Sequence, residues 1–455
     1  MPKTEKLDLN HNHQKAHIVA VDMGYGHQRA ADPLRYLAYK GKVINANNYP
    51  GIPLSDRKIW NDSREFYEWI SKFKKVPIIG EFAWNFFDRF QTIPSFYPKR
   101  DLSEPNNQLK YFMHYIKNRN WGKDLINRLE KKPLPLITTF FVVAFMAEYY
   151  KYSNEIYCLA TDTDISRSWV AIHPAQSRIN YFAPNYRVEQ RLKLYGVRPD
   201  KIFLTGFPLP MENLGGPDLQ TLKDDLGHRL YNLDPKKKYV AGYHDTISDQ
   251  LGKKNVPTSK HHPLTLTFAV GGAGAQRDIG VEIVKSLRSK LIHHKITVNL
   301  VAGIRNEVAS FFRQNIRSLG LANCLGKNIK IVFASNKENY FKKFNKILRE
   351  TDILWTKPSE LSFYTALGIP MIMTPPIGSQ EEFNRKWLLT IGSGTDQEDV
   401  RYTDQWLFDW LDSGWFAEAA MEGYMEAPKY GTYNIQKIIA HKEAETKTMH
   451  TVLQY

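Results

Sequence analysis

Two short stretches of the 455-residue chain are near copies, "GYGHQR" at 24–29 and "GAGAQR" at 272–277. Gly24, Gly26, Gln28 and Arg29 stand at the same relative positions as Gly272, Gly274, Gln276 and Arg277, 248 residues apart. Each copy follows an apolar run, "HIVAVDM" (17–23) or "LTLTFAV" (264–270), and precedes a helical pattern. A glycine-rich turn between strand and helix aims backbone N–H groups, and the positive end of the helix, at whatever lies in front of it. A chain that makes this unit twice is steered toward two similar α/β domains rather than one continuous core.

The remaining patterns agree. In the first half "LPLITTF", "IYCLATD", "INYFAPN" and "KIFLTGFP" read as strands, with "RVEQRLKLYG" as a helix. The helix after the first loop is expected to run through "HQRAADPLRYLAYKG" to Gly41, with Pro33 confined to its first turn. In the second half "ITVNLVAG", "IKIVFAS", "DILWTK" and "PMIMTP" are strand-like, with helical patterns such as "IGVEIVKSLRSKL" between most of them. Strands alternating with helices imply parallel sheets covered on both faces. The expected fold is therefore α/β, two facing Rossmann-like domains with a cleft between them. The divisions expected are 1–210, carrying an aromatic and basic insertion at 56–122; a charged, Gly/Pro/His-rich linker at 211–262; a second domain at 263–420; and a helical tail at 421–455.

Neither loop suits a nicotinamide or flavin cofactor. The third small residue of a dinucleotide fingerprint is replaced by Arg29 or Arg277, and "NANN" (45–48) stands where an acidic ribose ligand belongs. Neither loop has the G-K-[ST] of a P-loop. No cofactor and no metal site are expected. His27 distinguishes the copies, since Ala275 takes its place in the second. A histidine at a strand-to-helix turn faces the crevice at the carboxyl ends of the strands, and its ordinary pKa of about 6.5 suits proton abstraction from a hydroxyl. Capping or packing is the plainer role for such a residue.

Composition narrows the setting. The two cysteines, Cys158 and Cys324, have no metal-ligand spacing, which favours a reducing cytoplasm. "PLPLITTFFVVAFMA" (133–147) is too short to span a membrane, and the N-terminus lacks a signal-peptide pattern. A net charge of +15 points to an anionic partner, either a membrane surface or phosphorylated substrates. Nucleic acid is not expected, because zinc-finger and RNP-type motifs are missing. In the insertion, Phe82, Trp84, Phe86, Phe87 and Phe90 sit among Arg89, Lys99 and Arg100. They suit either core packing or peripheral attachment at the inner face of a membrane.

Five motifs in order give the chain a family resemblance. "MGYGHQRAA", "LATDTDISRSWV" (159–170), "INYFAPNYRVEQRLKLYGVRPDKIFLTGFPLP" (179–210), "FAVGGAGAQ" with "VAGIRN" (301–306), and "TKPSELSFYTALGIPMIMTPPIGSQEEFN" (356–384) carry it. Together they resemble the GT-B glycosyltransferases that include galactolipid synthases, processive diacylglycerol glucosyltransferases and the peptidoglycan N-acetylglucosaminyltransferase.

The resemblance implies an inverting, metal-independent transfer of a sugar from a nucleoside diphosphate sugar, UDP foremost, to a hydroxyl acceptor, with a lipid as a candidate. His27 matches the base, and Gly24, Gly26 and Asp162 the acceptor side. Gly271, Gly272, Ala273 and Gly274, with Arg277 and Arg305, match the diphosphate site. Asn306, Phe333, Ala334, Ser335, Lys357, Pro358, Ser359 and Glu360 would line the nucleoside; Gln380, Glu381 and Asn384 would reach the sugar. Three positions depart from the pattern. Thr365 replaces a ribose-gripping glutamate, for which Glu360 is the substitute; Ser359 replaces a glycine; and Thr138–Phe140 lacks a histidine that would support His27. The rival readings are a degenerate sugar-nucleotide-binding protein and a UDP-sugar 2-epimerase.

Overall fold

The computed structural model describes residues 15–440 apart from 74–92, 257–258, 260, 270, 272–273, 275 and 377. Two six-stranded sheets, parallel throughout, hold the chain together. The first contains β1 (Ala16–Ala20), β2 (Ala38–Asn45), β3 (Leu136–Thr138), β4 (Ile156–Leu159), β5 (Asn180–Ala183) and β6 (Ile202–Leu204), in the order β2-β1-β3-β4-β5-β6. The second contains β7 (Thr265–Ala269), β8 (Thr297–Gly303), β9 (Ile329–Phe333), β10 (Ile353–Thr356), β11 (Met371–Met373) and β12 (Gly394–Asp396), in the order β12-β11-β10-β7-β8-β9. The central strands β1, β7 and β8 are buried along their whole length, which explains their continuous apolar runs. The expected fold class is observed.

Strand order fixes where ligands go. In an open parallel sheet the crevice forms at the carboxyl ends where the order reverses. The reversal lies between β1 and β3 in the first sheet and between β7 and β10 in the second. Each glycine loop leaves the carboxyl end of a strand at its reversal, "GYGHQR" after β1 and "GAGAQR" after β7. The helix Arg277–Ser286 sits close on its sheet through Gly280, where a Cβ would come within 2.8 Å of the Phe268 ring. Close packing is thus supplied one turn beyond the position a dinucleotide fingerprint uses.

Two expectations change, and the helical tail gains a place to pack. The helix after the first loop spans only Gly26–Ala31; a 3₁₀ turn, Asp32–Leu37, follows, and 38–41 already belong to β2. Pro33 lies at the start of that turn, lacks an N–H donor and interrupts the helical ladder. The stretch 211–262, read as a linker, carries the helices Met211–Leu214, Gln220–Leu233, Lys238–Gly242 and His244–Leu251. Leu222, Leu226, Leu230 and Leu233 are buried at helical spacing, and Arg229 donates to the carbonyls of Thr351, Leu367 and Leu348. Charged neighbours mask that periodicity in the sequence. Finally, the tail returns to the first sheet: in the helix Gly431–Ile439, Thr432 donates to Leu209 O (2.6 Å) and Asn434 to Thr205 O (2.8 Å).

Of the insertion, Phe82, Trp84, Phe86, Phe87, Arg89 and Phe90 lie outside the described residues. Lys99 and Arg100 are exposed, and Arg100 donates to the carbonyls of Ser95 and Pro98. Among the described residues, no helix is long and apolar enough to cross a membrane.

Candidate functional site between the two sheets

His27 stands on the first turn of Gly26–Ala31, at the reversal point of the first sheet. Its Nδ1 lies 2.7 Å from the carbonyl of Thr139, at the end of the neighbouring strand β3. A carbonyl only accepts, so Nδ1 carries the proton and Nε2 of the neutral ring keeps its lone pair. Phe140 packs edge-on at 4.9 Å between ring centroids. Burial pushes the imidazole down to about 4, partly opposed by the Thr139 bond and the Glu360 charge. The support missing from the side chains of 138–140 is therefore given by a main-chain carbonyl.

Asp162 follows β4 and accepts from Asn384 Nδ2 at 3.1 Å. Burial, with Glu360 and Glu381 nearby, raises its carboxyl to about 6; Asn384 and Lys357 act in the opposite sense. The second aspartate of "TDTD" has a different task. Asp164 is buried and ion-paired with Arg187 and Arg191, both at 2.8 Å, so it serves the loop.

The facing side comes from the second sheet. Lys357, after β10, pairs with Glu381 at 2.5 Å. It also lies against the glycine loop, since a Cβ on Gly271 would come 3.0 Å from Lys357 Cε. Gly274 takes a φ of +70° and donates to Gly271 O (2.8 Å), a tight turn that favours glycine. Gly272 and Ala273 lie outside the described residues. Arg277 is turned aside over the Phe311 ring at 4.3 Å, and Arg305 meets Glu307 at 3.3 Å. Asn306 and Ser335 are exposed; Pro358 is buried. Phe333 O accepts from Lys343, and Ala334 N donates to Gly303 O. Ser359 O accepts from Ser362 N, while Gln380 lies in the first turn of the helix Ser379–Thr390.

Several expected ligands instead join the two halves. Glu360 Oε1 accepts from the buried Arg29 Nε at 3.1 Å, and its Oε2 lies 3.2 Å from where a Cβ on Gly26 would stand. Arg29 also donates to Tyr340 Oη at 2.9 Å, and its guanidinium covers the Phe344 ring at 4.5 Å. Asn384, fully buried, accepts from Thr163 N at 2.9 Å while holding Asp162. Lys337 pairs with Asp22, and Tyr25 Oη accepts from Ile304 N at 3.0 Å. Gly24, at φ +112°, has open space around it. Thr365 faces away from the cleft: it is fully buried under the helix Trp415–Glu426, where a Cβ on Gly423 would meet its hydroxyl.

The structure thus gathers His27, Asp162, Lys357, Glu360, Glu381 and Asn384 between the sheets, sets Arg305 beside the glycine loop, where a Cβ on Gly274 would come 3.5 Å from its Cδ, and turns Arg277 and Thr365 onto other partners. Sequence reasoning passed over Tyr25, Thr139 and Tyr340. An aromatic residue between two glycines was the available signal for the first; the strand end 138–140 drew notice only for a missing histidine, and nothing in the sequence marked Tyr340.

Residues 322–438 match a family described only as a domain of unknown function (DUF6938). The processive diacylglycerol beta-glucosyltransferase of Bacillus licheniformis is 22% identical over 272 residues, 58% of this chain and 57% of that protein. Its Bacillus subtilis counterpart is 22% identical over 287 residues, 61% and 60% of the two chains. The chain therefore aligns with about three-fifths of these relatives' length. Among solved structures, Staphylococcus aureus MnaA with UDP covers 83% of this chain and 90% of its own at 12% identity and a TM-score of 0.42. Acinetobacter baumannii MurG covers 71% and 78% at 11% identity and a TM-score of 0.41. The fold itself rests on strand order. Two facing six-stranded parallel sheets give the chain a GT-B fold, and over about three-fifths of its length it is similar in sequence to the processive glucosyltransferases.

Proposed function

We propose that the chain is an inverting, metal-independent glycosyltransferase that moves a sugar from a nucleoside diphosphate sugar, UDP-linked by preference, to a hydroxyl acceptor. The observation that carries this reading is His27, held as a neutral imidazole with Nδ1–H committed to Thr139 O at the reversal point of one sheet. Nε2 takes the acceptor's proton as its oxygen attacks the anomeric carbon, opposite the departing diphosphate. Charge on the leaving group is met by preorganised donors, namely the main chain at Gly271, in the turn that Gly274 closes, and the helix start at Arg277, with Lys357 alongside. A lipid acceptor at a membrane surface is part of the proposal, supported by the chain's basic charge and by similarity to lipid glucosyltransferases.

The rival reading is a sugar-nucleotide-binding protein without turnover. Thr365 favours it, because a buried residue packed on Gly423 offers no carboxylate to a ribose. Thermal shift against UDP-, GDP-, ADP- and dTDP-sugars, followed by transfer of labelled sugar to diacylglycerol and other hydroxyl acceptors, separates them. Stabilisation with transfer supports the transferase, and stabilisation without turnover supports the binding protein. Epimerised sugar nucleotide without acceptor supports the 2-epimerase chemistry. Failure of every nucleotide to stabilise the protein ends all three.

A further inference from the structure

We propose that Tyr25 fills the nucleobase subsite of the second sheet, so that the domains as arranged are closed by an internal plug. This rests on the reading of that sheet as a nucleotide site. Tyr25 belongs to the first glycine loop, yet its side chain is spent on the opposite domain. Its hydroxyl takes the Ile304 N–H, at the carboxyl end of β8. Gly303 makes the approach possible, since a Cβ there would stand 2.3 Å from Tyr25 Oη, and its φ of +66° favours glycine. The Gly303 carbonyl in turn accepts from Ala334 N, so the phenol lies beside the Phe333–Ser335 edge assigned to the base. The Tyr25 ring packs on Tyr340 at 4.9 Å and edge-on to Phe341 at 6.4 Å. Only 9% of the residue is exposed.

When Tyr25 withdraws, it uncovers one main-chain donor beside an aromatic face. That combination fits a planar heterocycle with a carbonyl acceptor, the chemistry of a pyrimidine base. Tyr25 precedes a helix rooted on β1, so its withdrawal separates the domains and breaks the Arg29–Glu360 and Asp22–Lys337 pairs. Base and tyrosine compete for one place, and apparent affinity falls by the fraction of molecules that are open.

The test titrates UDP into wild type, Tyr25→Phe and Tyr25→Ala by calorimetry, with GDP and ADP alongside and far-UV melting curves to confirm folding. Tyr25→Ala is expected to bind UDP about 10-fold or more tightly than wild type, and Tyr25→Phe, which keeps the ring, to fall between them. Small-angle scattering of wild type is expected to show a larger radius of gyration at saturating UDP, a readout that stands even where Tyr25→Ala fails to fold. If wild type binds UDP while Tyr25→Ala binds equally or more weakly, or if saturation leaves the radius unchanged, the plug is overturned and the nucleotide site stands. If no protein binds any nucleotide, the proposed function falls and the plug with it.

Discussion

The two glycine loops occupy the same station in their sheets, and residue by residue they divide into a shared part and a divergent part. The glutamines both anchor their loops to the sheet, by different routes. Gln28 donates to Asn45 at the end of β2, and Gln276 donates to Pro375 O and accepts from Thr374, just past β11. Gln28 thus ties its loop to the adjacent strand, while Gln276 reaches past β10 to the next strand but one. The arginines differ: Arg29 is buried across the domain boundary on Glu360 and Tyr340, whereas Arg277 stays on its own domain's Phe311. Tyr25 and His27 have the small Ala273 and Ala275 as counterparts. Repetition has kept the station of the turn but not its backbone, since the first helix opens at Gly26 and the second only at Arg277, after Gly274 at φ +70°. The side chains that reach outward have diverged, and those on the first copy carry the chemistry and the clasp.

That contrast can be broken experimentally. Under the proposed function, His27→Ala should lower turnover about 10²–10⁴-fold while leaving donor affinity within a few-fold, measured by steady-state kinetics beside calorimetry. Unchanged turnover would remove the histidine's part in the asymmetry. Next in size is Arg29→Met, which leaves Glu360 enclosed without its cation. The expected cost is about 3 kcal/mol in denaturant unfolding, whereas Arg277→Met should cost only about 0.5–1 kcal/mol. Equal losses would mean that the clasp on the first loop contributes nothing beyond an ordinary surface arginine.

The pH response sharpens the comparison further. His27 has its folded-state value lowered to about 4, so its neutral ring contributes stability above the unfolded value near 6.5, and that contribution is lost as pH falls through 4. Asp162, raised to about 6, works in the other sense: its contribution is present below the ordinary carboxylate range and is lost as pH rises through 6. His27→Gln should therefore flatten the decline in stability between pH 6.5 and 4 by about 1–3 kcal/mol, and Asp162→Asn should steepen it, both read from urea midpoints. Because His27 is already neutral at pH 5, an inflection near pH 6 in kcat/KM is expected to belong to Asp162 and to vanish in Asp162→Asn.

Much of the fold was legible because its signals are local and repeated. Strands such as Thr265–Ala269 bury every residue, and the duplicated turn marked where each sheet reverses. The 211–262 helices were hidden because their leucines are separated by charges that look like a solvated connector. At the site, His27 was found from its place after a strand. Its partner was not, because a main-chain carbonyl such as that of Thr139 has no signature in a sequence. Glu360 and Asn384 were recognised as chemical residues, but their bonds to Arg29 and Asp162 join positions more than two hundred residues apart. No local pattern reports such pairings.

The helix Gly431–Ile439 also bears on how the molecule is made. Synthesis delivers all six strands of the first sheet by residue 204, but the helix that covers Phe207 and Leu209 emerges more than two hundred residues later. The half that is translated first is therefore finished last, and until then an apolar seam stands open beside a nascent second domain, a setting in which chaperones act. Dissecting the molecule meets the same difficulty: a fragment cut near residue 210 keeps its strands and loses its cover. A permuted chain that begins at 431 and runs on into 15 would carry that cover within the same fragment.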